Sequence, residues 1–259
     1  KRGVNVTSRV LGELVGQLYV EKYFKPAAKE RMNELVENLK KAFAERITTR
    51  DWMGKGTQKQ ALQKLSMFTT KIGYPDAWKD YTDLKIASPI LATNLLASSR
   101  FETKQELKKI GGPIDRNEWH MTPATVNAYY HPLMNHMVYP AGILQKPFYN
   151  PDAPIAVNMG GMGMIVGHEL THGFDDMGSR FDASGSMKNW WDPEVASAFN
   201  EKKECVINQY NKYEVLPGKN INGNLTLGEN IADLGGVKLA FHAYKNLRKN
   251  AKDPIQAGG

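Results

Sequence analysis

The stretch "GMIVGHELTHGFDD", Gly163 to Asp176, places two histidines four residues apart with a glutamate between them. Residues four apart on an α-helix lie on the same face, about 6 Å apart along the axis. The spacing therefore predicts that His168 and His172 project side by side, so that both imidazoles can bind one tetrahedral zinc ion. Glu169 is rotated by about 100° from His168, which favours a role as general base over that of a ligand.

This motif has an ordinary alternative, because two histidines and a glutamate on an exposed helix face arise readily by chance. A zinc site also needs a third protein ligand, and a second polar helix, "NLTLGENIADLGGVKLAF", offers one. Glu229 and Asp233 lie four apart on one face of it, which predicts a metal ligand and an acceptor for a histidine N–H. The alternative is a solvated helix face. The apolar residues expected to anchor this helix are Leu227, Ile231, Leu234 and Val237.

Two further acids, Asp175 and Asp176, directly follow the first motif. Either residue could accept a hydrogen bond from a metal-binding histidine and so fix its orientation. Either could equally cap the end of the helix or begin the next turn. The sequence alone leaves these alternatives open.

Length and composition are those of a globular protein. The 259 residues are 41% hydrophobic and 24% charged, and no apolar run approaches the roughly 20 residues that cross a bilayer. The net charge of +7 comes from basic residues scattered among acids, which argues against nucleic-acid binding. Cys205 is the only cysteine, so no disulfide can form within the chain, and a zinc site has to use histidine and carboxylate ligands.

The first part of the chain, residues 1–115, is predicted to be helical. Apolar residues recur at three- and four-residue intervals over residues 27–48, directly after Pro26, as on one face of a helix. Further amphipathic helices are predicted at about 57–72 and 89–110. These helices are expected to serve as scaffold.

The second part, residues 116–259, is expected to hold the zinc site. β-favouring residues flank a proline-containing turn after Trp119, which predicts a hairpin with strands near 125–130 and 136–140. A glycine-rich turn then leads into the motif helix. The helices predicted here span about 163–176, 193–213 and 226–249. The expected fold is therefore mainly α with one small β-sheet, an α+β fold.

Four motifs, in order, resemble those of the neprilysin family of zinc metalloendopeptidases, which includes neprilysin, the endothelin-converting enzymes and bacterial oligopeptidases. They are "GQLYVEKYF", "VNAYYHPLMNHMVYPAGILQKPFY", "HELTHGFDD" and "GENIADLGG", and the similarity runs from the beginning to nearly the end of the chain. The resemblance implies a thermolysin-like catalytic lobe of the gluzincin type. It also implies that His168, His172 and Glu229 bind zinc, that Glu169 is the catalytic base and that Asp233 orients a histidine.

The resemblance implies a substrate site as well. The family's strand that holds a peptide as an added strand matches Asn127, Ala128, Tyr129 and Tyr130. The family's pocket for the side chain after the scissile bond matches Ile143, Phe148, Met164 and Ile165. All four pocket residues are apolar, so the expected enzyme cleaves oligopeptides on the N-terminal side of bulky hydrophobic residues. The alternative is an inactive or fragmentary peptide-binding scaffold with a vestigial zinc site.

The sequence also departs from the family pattern. His131 and His136 stand where relatives vary, and neither is assigned a role. The family's transition-state-stabilising histidine and substrate-binding arginine follow the Asp233 helix, and this sequence stops at Gly259 before either. We therefore expect further segments of the same polypeptide, an N-terminal lobe and a C-terminal piece. Because many relatives are anchored, secreted or exported, a location outside the cytoplasm is expected.

Overall fold

Helices form most of the N-terminal part of the chain in the computed structural model, which describes residues 1–250. Their bounds are α1 (Arg2–Val10), α2 (Gly12–Tyr23), α3 (Pro26–Thr48), α4 (Lys55–Ser66) and α5 (Leu91–Lys108). Proline at the first position of α3 suits a helix start, because its missing N–H would have no helical partner there. The helices predicted over 27–48 and 89–110 are confirmed to within two residues at each end.

A small sheet connects the N-terminal part of the chain to the hairpin. Strand β1 (Thr69–Gly73) runs parallel to β3 (His136–Pro140), and β3 pairs antiparallel with β2 (Tyr129–His131). The strand order is β1-β3-β2, so β2 lies at an edge. The predicted hairpin is confirmed, although its first strand begins four residues later than expected.

One helix prediction is wrong at its C-terminal end. The helix expected over residues 57–72 stops at Ser66, and the next five-residue element, "TTKIG", is β1. Three of these five residues are β-branched, and their side chains fit a pleated strand better than a helix. Pairing with β3, more than 60 residues away in the sequence, therefore overrides the local helical periodicity.

The C-terminal part consists of helices joined by structured loops. Its elements are α6 (Ile155–Asn158), a π-helical turn (Met159–Gly163), α7 (Met164–His172), a 3₁₀ turn (Gly178–Arg180), α8 (Pro193–Tyr210), β4 (Glu214–Leu216), β5 (Lys219–Asn220) and α9 (Leu227–Asn250). The hairpin of β4 and β5 was not predicted, and α8 ends before it. No helix in the described part of the chain is long and apolar enough to cross a membrane.

The motif helix α7 ends at His172, whereas the sequence predicted a helix to Asp176. The chain turns because the Asp175 carboxylate accepts the backbone N–H groups of Met177 and Gly178, at 2.9 and 2.7 Å. Such local side-chain bonds compete with continuation of a helix. This turn places Asp175 back beside the end of α7.

Helices α7 and α9 pack at backbone contact because glycines face each other. A Cβ atom on Gly167 would lie only 2.9 Å from the Cα atom of Gly236, so no larger residue fits either helix at this crossing. The face of α9 turned inward therefore carries small residues and leucine. After Ile231, its buried members are Ala232, Gly236, Leu239, Ala240 and Ala243.

Only two of the four apolar residues predicted to anchor α9 face the interior. Leu227 is buried and Ile231 is half-buried, but Leu234 and Val237 are exposed. The close approach at Gly236 turns these two residues to the opposite face of the helix. Sequence periodicity could not show this, because the inward face is marked by small residues instead of large apolar ones.

Candidate metal centre

His168 and His172 lie on successive turns of α7, as their spacing predicts. Their Nε2 atoms are 2.9 Å apart, and the rings stand at 90° to each other. Oε2 of Glu229, on α9, lies 3.3 Å from Nε2 of His168 and 3.7 Å from Nε2 of His172. Three ligand atoms from two facing helices therefore converge on one point, all within 4.8 Å of one another.

The three ligand atoms fit a tetrahedral metal ion. Bonds of about 2.0–2.1 Å in a tetrahedral site place neighbouring ligand atoms roughly 3.4 Å apart, and the separations here are 2.9, 3.3 and 3.7 Å. Two imidazoles and one carboxylate are a donor set typical of catalytic zinc, which keeps its fourth position open. The two facing Nε2 lone pairs would also repel unless a proton or a metal ion lies between them.

Each histidine is oriented by a carboxylate on its other ring nitrogen. Nδ1 of His168 donates to Asp233 Oδ1 at 2.8 Å, and Nδ1 of His172 donates to Asp175 Oδ2 at 2.7 Å. These bonds select the tautomer that leaves Nε2 free to bind a metal. Asp175 is thus brought beside a predicted ligand, and the geometry matches the orienting role predicted for Asp233.

Asp176 contributes differently. No hydrogen bond joins it to either histidine, and its Oδ1 is buried without a hydrogen-bond partner. Burial raises the pKa of Asp176, and the neighbouring charge of Asp175 raises it further. The structure therefore gives the metal centre one close acid from this pair, Asp175.

The His172 imidazole is influenced by several acids. Burial lowers its pKa, but the hydrogen bond that His172 donates to Asp175 and the charges of Glu169, Asp175 and Glu229 outweigh burial, so that the pKa of His172 is raised. The same negative charges favour any cation at the centre. The electrostatics of the site and the tetrahedral fit therefore point in the same direction.

Glu169 is buried and lines the same cleft as the two histidines. Burial raises the pKa of Glu169 to about 7, with the charge of Glu229 raising it and that of His172 lowering it. A bound cation would favour the ionised form. A carboxylate whose pKa lies near neutrality is suited to accepting and returning a proton.

A cleft of about 460 Å³ joins the metal centre to the edge strand β2. All four residues predicted to hold the substrate backbone line this cleft: Asn127, Ala128, Tyr129 and Tyr130. Because β2 pairs with β3 on one side only, its other edge is open to an additional strand within the described part of the chain. The structure therefore brings the predicted backbone-binding residues and the metal centre together.

The four residues predicted to bind the substrate side chain do not line this cleft. Ile143 lies in the hydrophobic core, Phe148 and Ile165 pack against that core, and Met164 is half-buried at the start of α7. The side-chain pocket therefore stays a prediction.

His131 and His136, which had no predicted role, form a cross-strand pair in the hairpin. Nδ1 of His131 and Nε2 of His136 are buried without hydrogen-bond partners. Burial lowers the pKa of His136 to about 3, and the nearby charges of Lys71 and Arg116 lower it too. His136 is therefore neutral at physiological pH, and the structure gives the pair no part in the metal centre.

Sequence reasoning missed Lys64, which is 1% exposed and lies directly beneath the turn that carries Asp175. The sequence did contain a signal. Lys64 lies seven residues after Thr57 and three after Ala61, both buried, so it falls on the inward face of α4. A lysine on an inward face needs buried acceptors, and none could be recognised from the sequence.

Two histidines on one helix and a glutamate on a facing helix form the donor set that thermolysin-like zinc peptidases use. Sequence models of peptidase family M13 match residues 1–75 and 127–257. The chain belongs to that family. The resemblance to the neprilysin family is thereby confirmed.

Curated relatives agree with this assignment. Neprilysin-3 of Drosophila melanogaster is 38% identical over 254 residues, which cover 95% of this chain and 32% of that protein. Endothelin-converting enzyme-like 1 of Homo sapiens is 41% identical over 245 residues, which cover 92% of this chain and 31% of that protein. The chain spans about a third of the length of these relatives.

Solved structures agree as well. The zinc metalloprotease Zmp1 of Mycobacterium tuberculosis, in complex with an inhibitor, matches with a TM-score of 0.94 at 42% identity, covering 99% of this chain and 40% of that chain. PepO from Lactobacillus rhamnosis matches with a TM-score of 0.84 at 32% identity, covering 93% of this chain and 38% of that one. The predicted fold, mainly helical with a small sheet, is confirmed.

Proposed function

We propose that this protein is a zinc-dependent endopeptidase that hydrolyses oligopeptides. The observation that carries the proposal is the meeting of three ligand atoms, a buried carboxylate and an open strand edge in one cleft. Membership of peptidase family M13 supports it. Because the chain spans about a third of its relatives, the activity is proposed for the whole polypeptide, including the further segments that we expect.

His168, His172 and Glu229 would hold the zinc ion. Zinc bound there supplies Lewis-acid chemistry, since it lowers the pKa of a water molecule and polarises a peptide carbonyl. Asp175 and Asp233 keep the two imidazoles in the tautomer that presents Nε2. The two imidazoles are therefore already oriented for metal binding in the metal-free protein.

Glu169 is the proposed general base. In its ionised form the carboxylate accepts a proton from the attacking water and then delivers it to the departing amine nitrogen. Burial raises the pKa of Glu169 to about 7 in the metal-free site, and a bound cation would lower it toward the ionised form that accepts the proton. Its position one residue after His168 turns it away from the ligand set.

The open edge of β2 is the proposed backbone-binding site. A substrate in extended conformation would pair with this edge as an added strand, through main-chain hydrogen bonds that do not depend on sequence. Asn127 would add its side-chain amide to these bonds. The proposed preference for a bulky hydrophobic residue after the scissile bond rests on the apolar character of the predicted pocket residues.

Hydrolysis of an internally quenched peptide by the complete protein tests this proposal. A chelator should abolish cleavage and added zinc should restore it. Replacing Glu169 with glutamine should reduce kcat at least about a hundred-fold, because the base is lost, while the zinc content stays near one ion per chain. Loss of zinc from E169Q would show that Glu169 is a ligand, and full activity would exclude it as the base.

A location outside the cytoplasm is also proposed. Asn5 and Asn224 each begin an N-x-Ser/Thr triplet, and both residues are exposed, as glycosylation requires. Fractionation of the source cells with an antibody against this chain would test the proposal. Recovery only with cytosolic markers would contradict it.

A further inference from the structure

Lys64 lies inside the protein on the inward face of α4. Its Nζ donates three hydrogen bonds to backbone carbonyl oxygens, at 2.6 Å to Gly173, 2.7 Å to Gly178 and 2.6 Å to Phe181. A neutral amine has only two hydrogens, so the full set of bonds requires the ammonium form. The three carbonyl oxygens therefore take the place of water around a buried charge.

Aromatic rings complete this environment. The rings of Phe174, Trp190 and Tyr130 have their centroids 5.4, 5.8 and 6.0 Å from Nζ, within the range of cation–π attraction. Burial lowers the pKa of Lys64 to about 7, against the opposing charges of Asp175 and Asp182. Rings and carboxylates both favour the ammonium, which offsets part of the cost of burying it.

The carbonyls that Lys64 binds belong to the turn that presents Asp175. Gly173 and Gly178 lie on either side of Asp175 in the sequence, so one ammonium group holds both ends of the turn. Within the turn, Asp175 Oδ1 accepts the N–H groups of Met177 and Gly178, while Oδ2 faces His172. The position of Oδ2 is thus fixed by the backbone that Lys64 holds.

We propose that Lys64 is a positioning residue for the metal centre, holding the turn over residues 173–181 so that Asp175 orients His172 toward the metal. The inference rests on the proposed zinc site. An apolar residue of similar size could fill the same space, but it would leave the buried Gly173 carbonyl without a donor. The carbonyls of Gly178 and Phe181 would each lose one of two donors, keeping the Phe181 N–H at 3.1 Å and the Trp190 Nε1–H at 3.0 Å. The turn would then be free to relax away from His172.

This contact also connects two separately recognised parts of the chain. Lys64 lies within residues 1–75, which match one family model, and the metal-binding residues lie within 127–257, which match the other. The orientation of a metal ligand therefore depends on a side chain more than 100 residues earlier in the sequence. The C-terminal part alone would lack this support.

Zinc affinity of the complete protein, measured by competition with a chromophoric chelator, tests the inference. K64M should weaken zinc binding about ten-fold or more, because loss of a group that supports a ligand typically costs 10- to 100-fold. K64Q should lose less, since its amide retains two donors and buries no charge. If K64M does not fold, K64Q decides the question.

A matched control separates positioning from general destabilisation. Leu65, the next residue on α4, is also buried but cannot donate to the turn. L65A should lower the melting temperature at least as much as K64M and leave the zinc dissociation constant within about two-fold of wild type. An equal loss of zinc affinity in L65A and K64M would overturn the inference.

A double-mutant cycle tests whether Lys64 acts through Asp175. D175N should weaken zinc binding by itself, and K64M/D175N should bind zinc no more weakly than D175N alone. Cobalt-substituted K64M and D175N should show the same shift of the visible absorption bands. Additive losses, or wild-type zinc binding in K64M, would overturn the inference alone, whereas a wild-type protein that binds no zinc would overturn the proposed function.

Discussion

The two histidines of the metal centre are held by different kinds of structure. His172 faces Asp175, which is 6% exposed, lies three residues further along the chain and accepts two more hydrogen bonds. His168 faces Asp233, which is 56% exposed and comes from another helix, 65 residues away. One half of the centre is therefore enclosed by its own turn, and the other depends on the packing of α7 against α9.

The same contrast separates the two glutamates of the site. Glu169, on α7, is buried among the residues of the cleft, while the side chain of Glu229, on α9, is 70% exposed. A charge in the enclosed half costs stability that the same charge in the open half does not. The enclosed half should therefore respond more strongly to substitution, and the following predictions test this difference.

The largest effect is expected from E169Q in the metal-free protein. Burial raises the pKa of Glu169 from 4.5 to about 7, so the unfolded chain releases this proton at a lower pH than the folded chain. Stability is therefore lost as the pH rises from 4.5 to 7, by up to about 3 kcal/mol. Urea unfolding should show E169Q to be more stable than wild type at pH 8 by up to that amount.

At pH 4 this gain should disappear, because Glu169 is protonated in both states. E229Q is the matched control, and we expect it to change the stability by less than about 0.5 kcal/mol at pH 8. A pH-independent difference between E169Q and wild type would contradict the proposed cost of burial.

A somewhat smaller effect is expected from the two orienting carboxylates. D175N should weaken zinc binding by about a hundred-fold and D233N by about ten-fold, the two ends of the range for such supports. Asp175 is the more rigid of the pair, and its loss leaves buried N–H groups with a weaker acceptor. Isothermal competition titrations against a chelator measure both values, and an equal or reversed order would contradict the comparison.

The smallest effect is expected at the contact between the halves. A methyl group on Gly167 would meet the backbone of Gly236, so G167A should lower the unfolding free energy by about 1–3 kcal/mol and move Glu229 away from the histidines. G160A adds the same methyl group where no atom lies within 4 Å and should leave both stability and zinc affinity nearly unchanged. Equal behaviour of the two variants would show that the helix crossing does not set the site.

Local spacing was enough to predict much of this centre. His168 and His172 needed only the pitch of a helix, and so did the pairing of Glu229 with Asp233 on one face. The meeting of the two helices was inferred from the ligand count that zinc requires and from the family resemblance. The strand β1, by contrast, could not be separated from the end of a helix, because its partner β3 is distant in sequence.

Features that depend on the backbone were not predictable. The spacing of α4 places Lys64 on its inward face, but the three acceptors are carbonyl groups that every residue possesses, so the sequence could not identify them. The exposure of Leu234 and Val237 likewise follows from a glycine contact that hydrophobic periodicity does not register. Sequence patterns record side-chain chemistry, and both features arise from main-chain geometry.

The central claim is that one metal ion is held by side chains from both halves of the site. X-ray absorption at the zinc edge, on complete protein of known zinc content, tests it most directly. The account predicts about one zinc ion per chain, with two imidazole nitrogens and carboxylate or water oxygens at about 2.0–2.1 Å. A protein without stoichiometric zinc, or a spectrum with fewer than two imidazoles, would contradict it.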